Sequence, residues 1–417
     1  MYIDRKIEDT VRKISETFPV LILTGPRQVG KTTLLTKLAG SERRIDSLDD
    51  PTVRYLAKND PKMFLERYAP PVLIDEVQYA PELFDYIKIA ADRDKRCGDF
   101  WLTGSQTFRM MKNVSESLAG RAGVIRLLGL SNSEIRGNDF GPFSVDMKEL
   151  IRRKESTEPM TLQDVYERIF KGSMPRLYED PEVDRAQYYE SYLETYISRD
   201  VRELSQVGNI NAFLTFVRAA AARTATNVNY TEMAAEAGIS VPTARQWLSI
   251  LVSSGLVILI QPYFNNALKR VVKTPRMYFA DTGLAAYLTG WSSPEILESG
   301  AMNGAYFETW VVTEIYKSYI NAGLTPPLYF YRDLSRREID LIIFRDGIVN
   351  PIEIKKSSAP KDAVKNFSVL DPVEAASRDS DIAPGLKAKV GTGAVVCMAG
   401  DVFPIDRKNW YVPAWLI

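Results

Sequence analysis

Eight consecutive residues carry the clearest chemistry in the chain. Gly25-Pro26-Arg27-Gln28-Val29-Gly30-Lys31-Thr32, followed by Thr33, fits the pattern G-x-x-x-x-G-K-[ST]. Its glycines let the backbone curl until the N–H groups point inward at phosphate oxygens. A helix starting near Thr32 would turn its partial positive end toward the same anion. Lys31 would then reach the β- and γ-phosphates of ATP, and the Thr32 hydroxyl would ligate Mg²⁺. The residues from Gly25 to Thr33 are therefore the expected nucleotide cradle.

Two further segments fit hydrolysis as well as binding. Val72-Leu73-Ile74-Asp75-Glu76 is an apolar run ending in two acids. Asp75 is expected to hold the Mg²⁺ and Glu76 to polarise the attacking water. Phe100-Trp101-Leu102-Thr103-Gly104-Ser105 ends in small polar residues, and Ser105, with Thr103 as the alternative, is expected to sense the γ-phosphate or orient the water. Arg121, in Leu118-Ala119-Gly120-Arg121, is the candidate for stabilising transition-state charge, in cis or in trans.

Composition narrows the remaining chemistry. The 417 residues contain no histidine, which excludes Ser-His-Asp triads, Cys-His dyads and histidine zinc sites. Carboxylates, lysine, hydroxyls and a hard metal ion are left. Lys+Arg and Asp+Glu balance at 53 each, so a permanent residence on DNA or an anionic membrane is disfavoured. Two cysteines, Cys97 and Cys397, argue against a disulfide framework. The charged N-terminus lacks a signal core, and no apolar run reaches the ~18 residues of a membrane span. A cytoplasmic protein without membrane partners is expected.

These groups need elements to hold them. Residues 19–24, 71–74 and 100–103 are short apolar runs that read as buried parallel strands with helices between them. Residues 1–130 are assigned to an AAA+-like P-loop domain on this basis. A helical linker is expected over 131–210, where Tyr188, Tyr192 and Tyr196 at four-residue spacing read as core packing.

Residues 211–290 read as a winged helix-turn-helix. Asn229 precedes a first helix as its cap, Gly238 turns the chain, and Pro242 falls in the first turn of a second helix. The strand from Leu256 suggests a wing. Thr243, Arg245 and Gln246 would face a ligand, with Lys269, Arg270, Lys273 and Arg276 as phosphate contacts to DNA. Packing on the ATPase as a structural lid is the equal alternative.

Residues 291–417 read as an α/β unit. Asp346-Gly347 between apolar runs predicts a tight hairpin that sets Arg345 opposite Ile348 and, counting back, Asp340 opposite Glu353. Strict alternation would put Ile339, Leu341, Ile352 and Ile354 on the core face, and Glu338, Asp340, Glu353 and Lys355 together on the other. Opposed acids repel, and a second Mg²⁺ or Mn²⁺ would reverse the sign. Glu308 and Glu314 fall in line with apolar residues of the preceding helix, a costly place for an unpartnered carboxylate.

The Leu23–Thr33 run, the Leu73-Ile74-Asp75-Glu76-Val77-Gln78 block and Leu102-Thr103-Gly104-Ser105 resemble the AAA+-like ATPases of bacteria and archaea. The group resembled carries a C-terminal domain of uncharacterised function. Tyr196-Ile197-Ser198-Arg199-Asp200, Tyr278–Leu284, Glu338-Ile339-Asp340 and Glu353-Ile354-Lys355 look like that group too. An acid on a helix, Asp on one strand and Glu-x-Lys on the next is similar to a restriction-endonuclease-like core. That resemblance implies Asp340 and Glu353 as metal ligands, Lys355 as the charge at the phosphodiester, and Glu308 as a supporting ligand. The expected whole is a multidomain α/β ATPase whose nucleotide state gates a nuclease-like end acting on DNA. The alternative is a nucleotide-dependent switch or scaffold whose last two domains only bind protein partners. Such ATPases often assemble into oligomers.

Overall fold

The computed structural model describes residues 2–104, 117–195, 209–265, 273–377 and 387–417. Five short strands form the first sheet: β1 (Val20–Thr24), β2 (Arg44–Ser47), β3 (Val72–Asp75), β4 (Phe100–Thr103) and β5 (Ala122–Arg126). Their order is β2-β3-β4-β1-β5, and every pairing is parallel. Parallel strands buried on both faces need apolar residues throughout, and β1, β3 and β4 are buried at every position. Alternate residues serve opposite faces. Val20, Ile22, Ile74 and Leu102 pack with Phe64, Phe84 and Ile87 on one side. Leu21, Leu23, Leu73 and Trp101 pack with Val11, Leu34 and Leu35 on the other. All five strands run the same way, so the ends of β1, β3 and β4 converge at one edge.

The remaining strands are β6 (Thr226–Asn227), β7 (Val257–Pro262), β8 (Arg276–Phe279), β9 (Leu328–Arg332), β10 (Glu338–Arg345), β11 (Ile348–Ile354), β12 (Lys389–Val390), β13 (Gly393–Cys397), β14 (Phe403–Pro404) and β15 (Asn409–Pro413). They make one ten-stranded sheet in the order β14-β15-β13-β11-β10-β9-β7-β8-β6, with β12 beside β11. The segments on either side of the boundary expected at 290/291 meet in it. β7 pairs in parallel with β9, Gln261 opposite Tyr329, so the middle and C-terminal segments share a sheet.

The segment expected to be a linker is also built into the core. Tyr192 is buried and Tyr188 half-buried against the core, in keeping with the core reading of the tyrosines, while Tyr196 lies outside the described residues. Asp281, just after β8, accepts from the Ser173 backbone N–H and hydroxyl, both at 2.6 Å, from Tyr189 at 2.8 Å and from Leu284 N–H at 2.6 Å. Four donors on a buried carboxylate account for the Tyr278–Leu284 motif as a structural knot.

Three helices, Ile210–Ala221, Tyr230–Ala237 and Val241–Ser253, precede the antiparallel pair β7–β8. Asn229 and Ser240 cap the second and third, and Pro242 sits in the first turn. Trp247 anchors the group, edge-on to Phe213 and Phe216. Among the described residues, no helix is long and apolar enough to cross a membrane.

Candidate functional site

β1 ends at Thr24 and the chain turns through Gly25 into the loop. A Cβ on Gly25 would lie 2.0 Å from the Leu127 carbonyl oxygen, and its φ of +142° is one that L side chains rarely adopt. Gly30, at φ +88°, then caps the helix Lys31–Ala39. Lys31 is buried, and its ammonium donates to the carbonyls of Gly25 and Pro26 at 3.1 and 2.8 Å, inside the curl of the loop.

β4 lies between β1 and β3, which brings three side chains together. The Oδ1 of Asp75 accepts from the Thr32 hydroxyl at 3.0 Å and from the Thr103 hydroxyl at 2.8 Å. Two hydroxyls and a carboxylate are hard oxygen donors, the set that suits Mg²⁺. The glycine cradle beside them leaves room for backbone N–H groups to face phosphate. The residues present therefore fit a Mg-nucleotide. Thr103, secondary to Ser105 in the sequence reading, is the hydroxyl placed at Asp75; Ser105 lies outside the described residues.

Glu76 follows in the left-handed region at φ +54°, an uncommon conformation for a residue with a Cβ. Burial pushes its carboxyl up from the ordinary value, opposed by the Gln78 amide that donates to it and by Lys31 and Arg27 nearby. A carboxylate with raised basicity next to the acid at Asp75 suits a proton acceptor.

Sequence reasoning missed Arg5. Its buried guanidinium donates to the Val29 carbonyl in the phosphate loop at 2.9 Å and to the Leu128 carbonyl at 2.7 Å, and pairs with Glu134 at 3.0 Å. Glu134 also accepts from the backbone N–H groups of Lys6 and Ser131. Asn132 N–H in turn donates at 2.8 Å to Glu314, which pairs with Lys317 at 2.5 Å. The Glu314 carboxylate on its apolar helix face is thus fully partnered. A lone arginine in a charged N-terminal stretch carries no pattern that would have revealed this role.

Arg121 is corrected as a cis contributor. Ala122 pairs with Val20, so Arg121 stands at the start of the parallel strands, the end opposite the phosphate loop. There it forms a two-pronged pair with Asp92 at 2.5 and 2.9 Å.

The predicted hairpin register holds from Arg345 opposite Ile348 back to Leu341 opposite Ile352. The expected faces do not hold throughout. An irregularity in the β9–β10 pairing between Ile339 and Ile342 puts Ile339 in a cluster with Tyr331, Ile342 and Val349, while Leu341, Ile352 and Ile354 join the main core. Asp340 and Glu353 are consequently buried rather than solvated.

The counter-charge of this acid group is an arginine. Arg276, almost fully buried, reaches Glu308 at 3.0 Å and Asp340 at 3.8 Å, and pairs with Glu338. Tyr278 donates to Glu308 at 2.8 Å. Lys355 lies 2.6 Å from Glu353 and 3.4 Å from Asp340. Among the described residues no group of three such ligands is disposed to hold a metal. Arg276 and Lys355 stand against the acids at the place where the sequence reading expects a second Mg²⁺ or Mn²⁺. Arg276 is removed from the expected DNA contacts, and Lys269 and Arg270 lie outside the described residues.

Burial and the nearby Asp340 charge raise Glu308 to about 7 and Glu353 to about 8. Lys355 opposes the shift of Glu353 without cancelling it, and Glu353 Oε2 has no partner among the described residues.

A family model described as an AAA domain matches residues 17–136. Two domains of unknown function follow, DUF8612 at 162–295 and DUF4143 at 303–417. The uncharacterized proteins Rv2008c of Mycobacterium tuberculosis and Mb2031c of Mycobacterium bovis are each 30% identical over 358 residues, covering 84% of this chain and 73% of theirs. Among solved structures, the Walker-type ATPase PABY2304 of Pyrococcus abyssi aligns at a TM-score of 0.41 and 16% identity, covering 69% of this chain and 96% of that one. The RuvB Holliday junction branch migration motor of Thermotoga maritima aligns at 0.30 and 16%, covering 60% and 88%. The chain belongs to the family of the two mycobacterial proteins, and its N-terminal parallel sheet is an AAA-type, P-loop ATPase-like domain.

Proposed function

We propose that the chain binds ATP with Mg²⁺ across Gly25–Thr33 and hydrolyses it, and that its C-terminal unit is a docking module rather than a nuclease. The observation that carries the first half is the meeting of Thr32 and Thr103 on one oxygen of Asp75, beside a buried Lys31. Bound Mg²⁺ would supply positive charge to the triphosphate oxygens. The chain itself supplies the rest. Lys31 brings a cation into the loop, Asp75 and Thr32 hold the oxygen donors, and Glu76 stands ready to accept a proton from water. Ser105 is retained as a water-orienting candidate and Arg121 as a contributor in trans.

The second half rests on Arg276. A metal-dependent nuclease needs open carboxylates, whereas here Glu308, Glu338 and Asp340 share a buried guanidinium. The three helices and the β7–β8 pair support a winged-helix reading of the middle segment. Gly255, closing that segment's third helix, lies where a Cβ would come within 3.0 Å of Pro26 in the phosphate loop. This contact favours the lid alternative over free DNA contact, and a cytoplasmic ATP-driven switch is the resulting picture.

Calorimetry with Mg·ATP and steady-state hydrolysis on wild type, Lys31→Ala and Glu76→Gln test the first half. Glu76→Gln should bind while losing about a hundredfold or more in kcat, the range of general-base catalysis. No heat from wild type sinks the proposal. Incubation with mixed nucleic acids and Mn²⁺ tests the second half: cleavage abolished by Lys355→Ala would restore the nuclease reading.

A further inference from the structure

Arg136, Arg168 and Lys171 line a cavity of about 360 Å³ together with Pro159, Met160, Asp164 and Glu167. Arg136 ends the short helix Asn132–Arg136, and the other two lie on the helix Leu162–Lys171, three residues apart and so on one face. All three are half-buried, and none forms an ion pair among the described residues.

Their direct contacts are with neutral groups. One nitrogen of Arg136 donates to the Glu158 carbonyl, while Nη1 is buried with no partner among the described residues. Arg168 and Lys171 both lie against the ring of Tyr178, at 5.3 and 4.5 Å from its centre, which offers a quadrupole and no net charge. Two acids, Asp164 and Glu167, share the lining, and the charges of Asp164 and of Glu158 partly offset those of the cations. Asp164 accepts from the Thr161 N–H and hydroxyl in a helix cap, and Glu167 accepts from Gln163. With three cations against two acids in a partly desolvated lining, one positive charge is left for an entering anion. Burial and the charge of Arg168 lower both Arg136 and Lys171.

We propose that this cavity is an anion site, separate from the phosphate loop, that binds a phosphate group through Arg136, Arg168 and Lys171. Guanidinium forks and a point-charge ammonium are the side chains that recognise phosphate oxygens. The phosphate can be free or part of a nucleic-acid backbone, since both present the same oxygens.

The test uses full-length protein carrying Lys31→Ala, so that the phosphate loop contributes little. Inorganic phosphate is titrated by calorimetry, and a fluorescent single-stranded oligonucleotide by anisotropy, at two salt concentrations. Arg168→Gln and Lys171→Gln should each weaken binding about tenfold, the worth of one charge-assisted hydrogen bond. Lys171→Arg should retain it. Loss confined to phosphate identifies the free anion as the ligand, and loss of oligonucleotide binding with a shallower salt slope identifies the backbone. Binding of neither probe, or binding unchanged in both Gln variants, overturns the site. Because the background already lacks Lys31, either result holds whether or not the chain proves to be an ATPase.

Discussion

Arg276 and Glu308 come from different segments of the chain, a strand of the middle unit and the long helix of the C-terminal unit, and meet at 3.0 Å in the interior. That pair ties the helix Asn303–Asn321 to β8 of the shared ten-stranded sheet. Removing the guanidinium would leave Glu308 without its cation, while Lys355 stays 3.4 Å from Asp340 and Arg332 3.6 Å from Glu338. Arg276→Ala is therefore expected to destabilise the protein by about 3–5 kcal/mol, the cost of breaking a buried pair from one side. Denaturant unfolding with the double variant Arg276→Met/Glu308→Gln is the check. The double variant should recover part of the loss, and a single variant as stable as wild type would show that the pair does not hold the sheet.

The same acids make stability depend on pH. Unfolded glutamates titrate near 4.3, whereas burial and Asp340 raise Glu308 to about 7 and Glu353 to about 8 in the folded chain. Between those limits the folded state holds protons that the unfolded state has released. The contribution of these groups is present in full below about pH 4, declines as pH rises through about 5–8, and is gone above. Melting curves across that range should slope downward in wild type and less steeply in Glu353→Gln. Parallel slopes would show that Glu353 titrates normally.

The sequence pattern made some of this legible and hid the rest for physical reasons. Lys31, Thr32 and Asp75 could be placed because buried parallel strands write continuous apolar runs, and their ends must lie at one edge. The hairpin register of Arg345 against Ile348 followed from a two-residue turn. Faces failed at Ile339 because a register irregularity leaves no local mark. Arg276 reads as a surface cation in the sequence, since its counter-ions lie far along the chain. β5 escapes recognition, its Ala122-Gly123 start being a weak strand former, and without it Arg121 cannot be assigned to its end of the sheet.

Gly255 predicts a link between the middle segment and nucleotide affinity. Its φ of +78° costs a substituted residue roughly 1–2 kcal/mol, and the new Cβ would press on Pro26 at 3.0 Å. Gly255→Val should lower the melting temperature and weaken Mg·ATP binding by several-fold, while Gly290→Ala, also at positive φ but with open space around it, should lower stability alone. Equal affinities in the two variants would detach the contact from the site.

Arg5 predicts a defect in the phosphate loop from a residue that need never touch nucleotide. Its partners, Val29, Leu128, Gly129 and Glu134, lie on three different segments, and lysine cannot reach all of them with one ammonium. Arg5→Lys should therefore keep the fold, avoid leaving Glu134 without a cation, and still loosen Val29. The expected result is a KM for ATP raised about tenfold, equivalent to one lost charge-assisted hydrogen bond, with kcat changed far less. Glu134→Gln frees the guanidinium from its acid but leaves the Val29 bond in place, so its KM should move less than that of Arg5→Lys. If instead both variants lower kcat and leave KM alone, Arg5 acts on the fold of the domain and not on the shape of the loop.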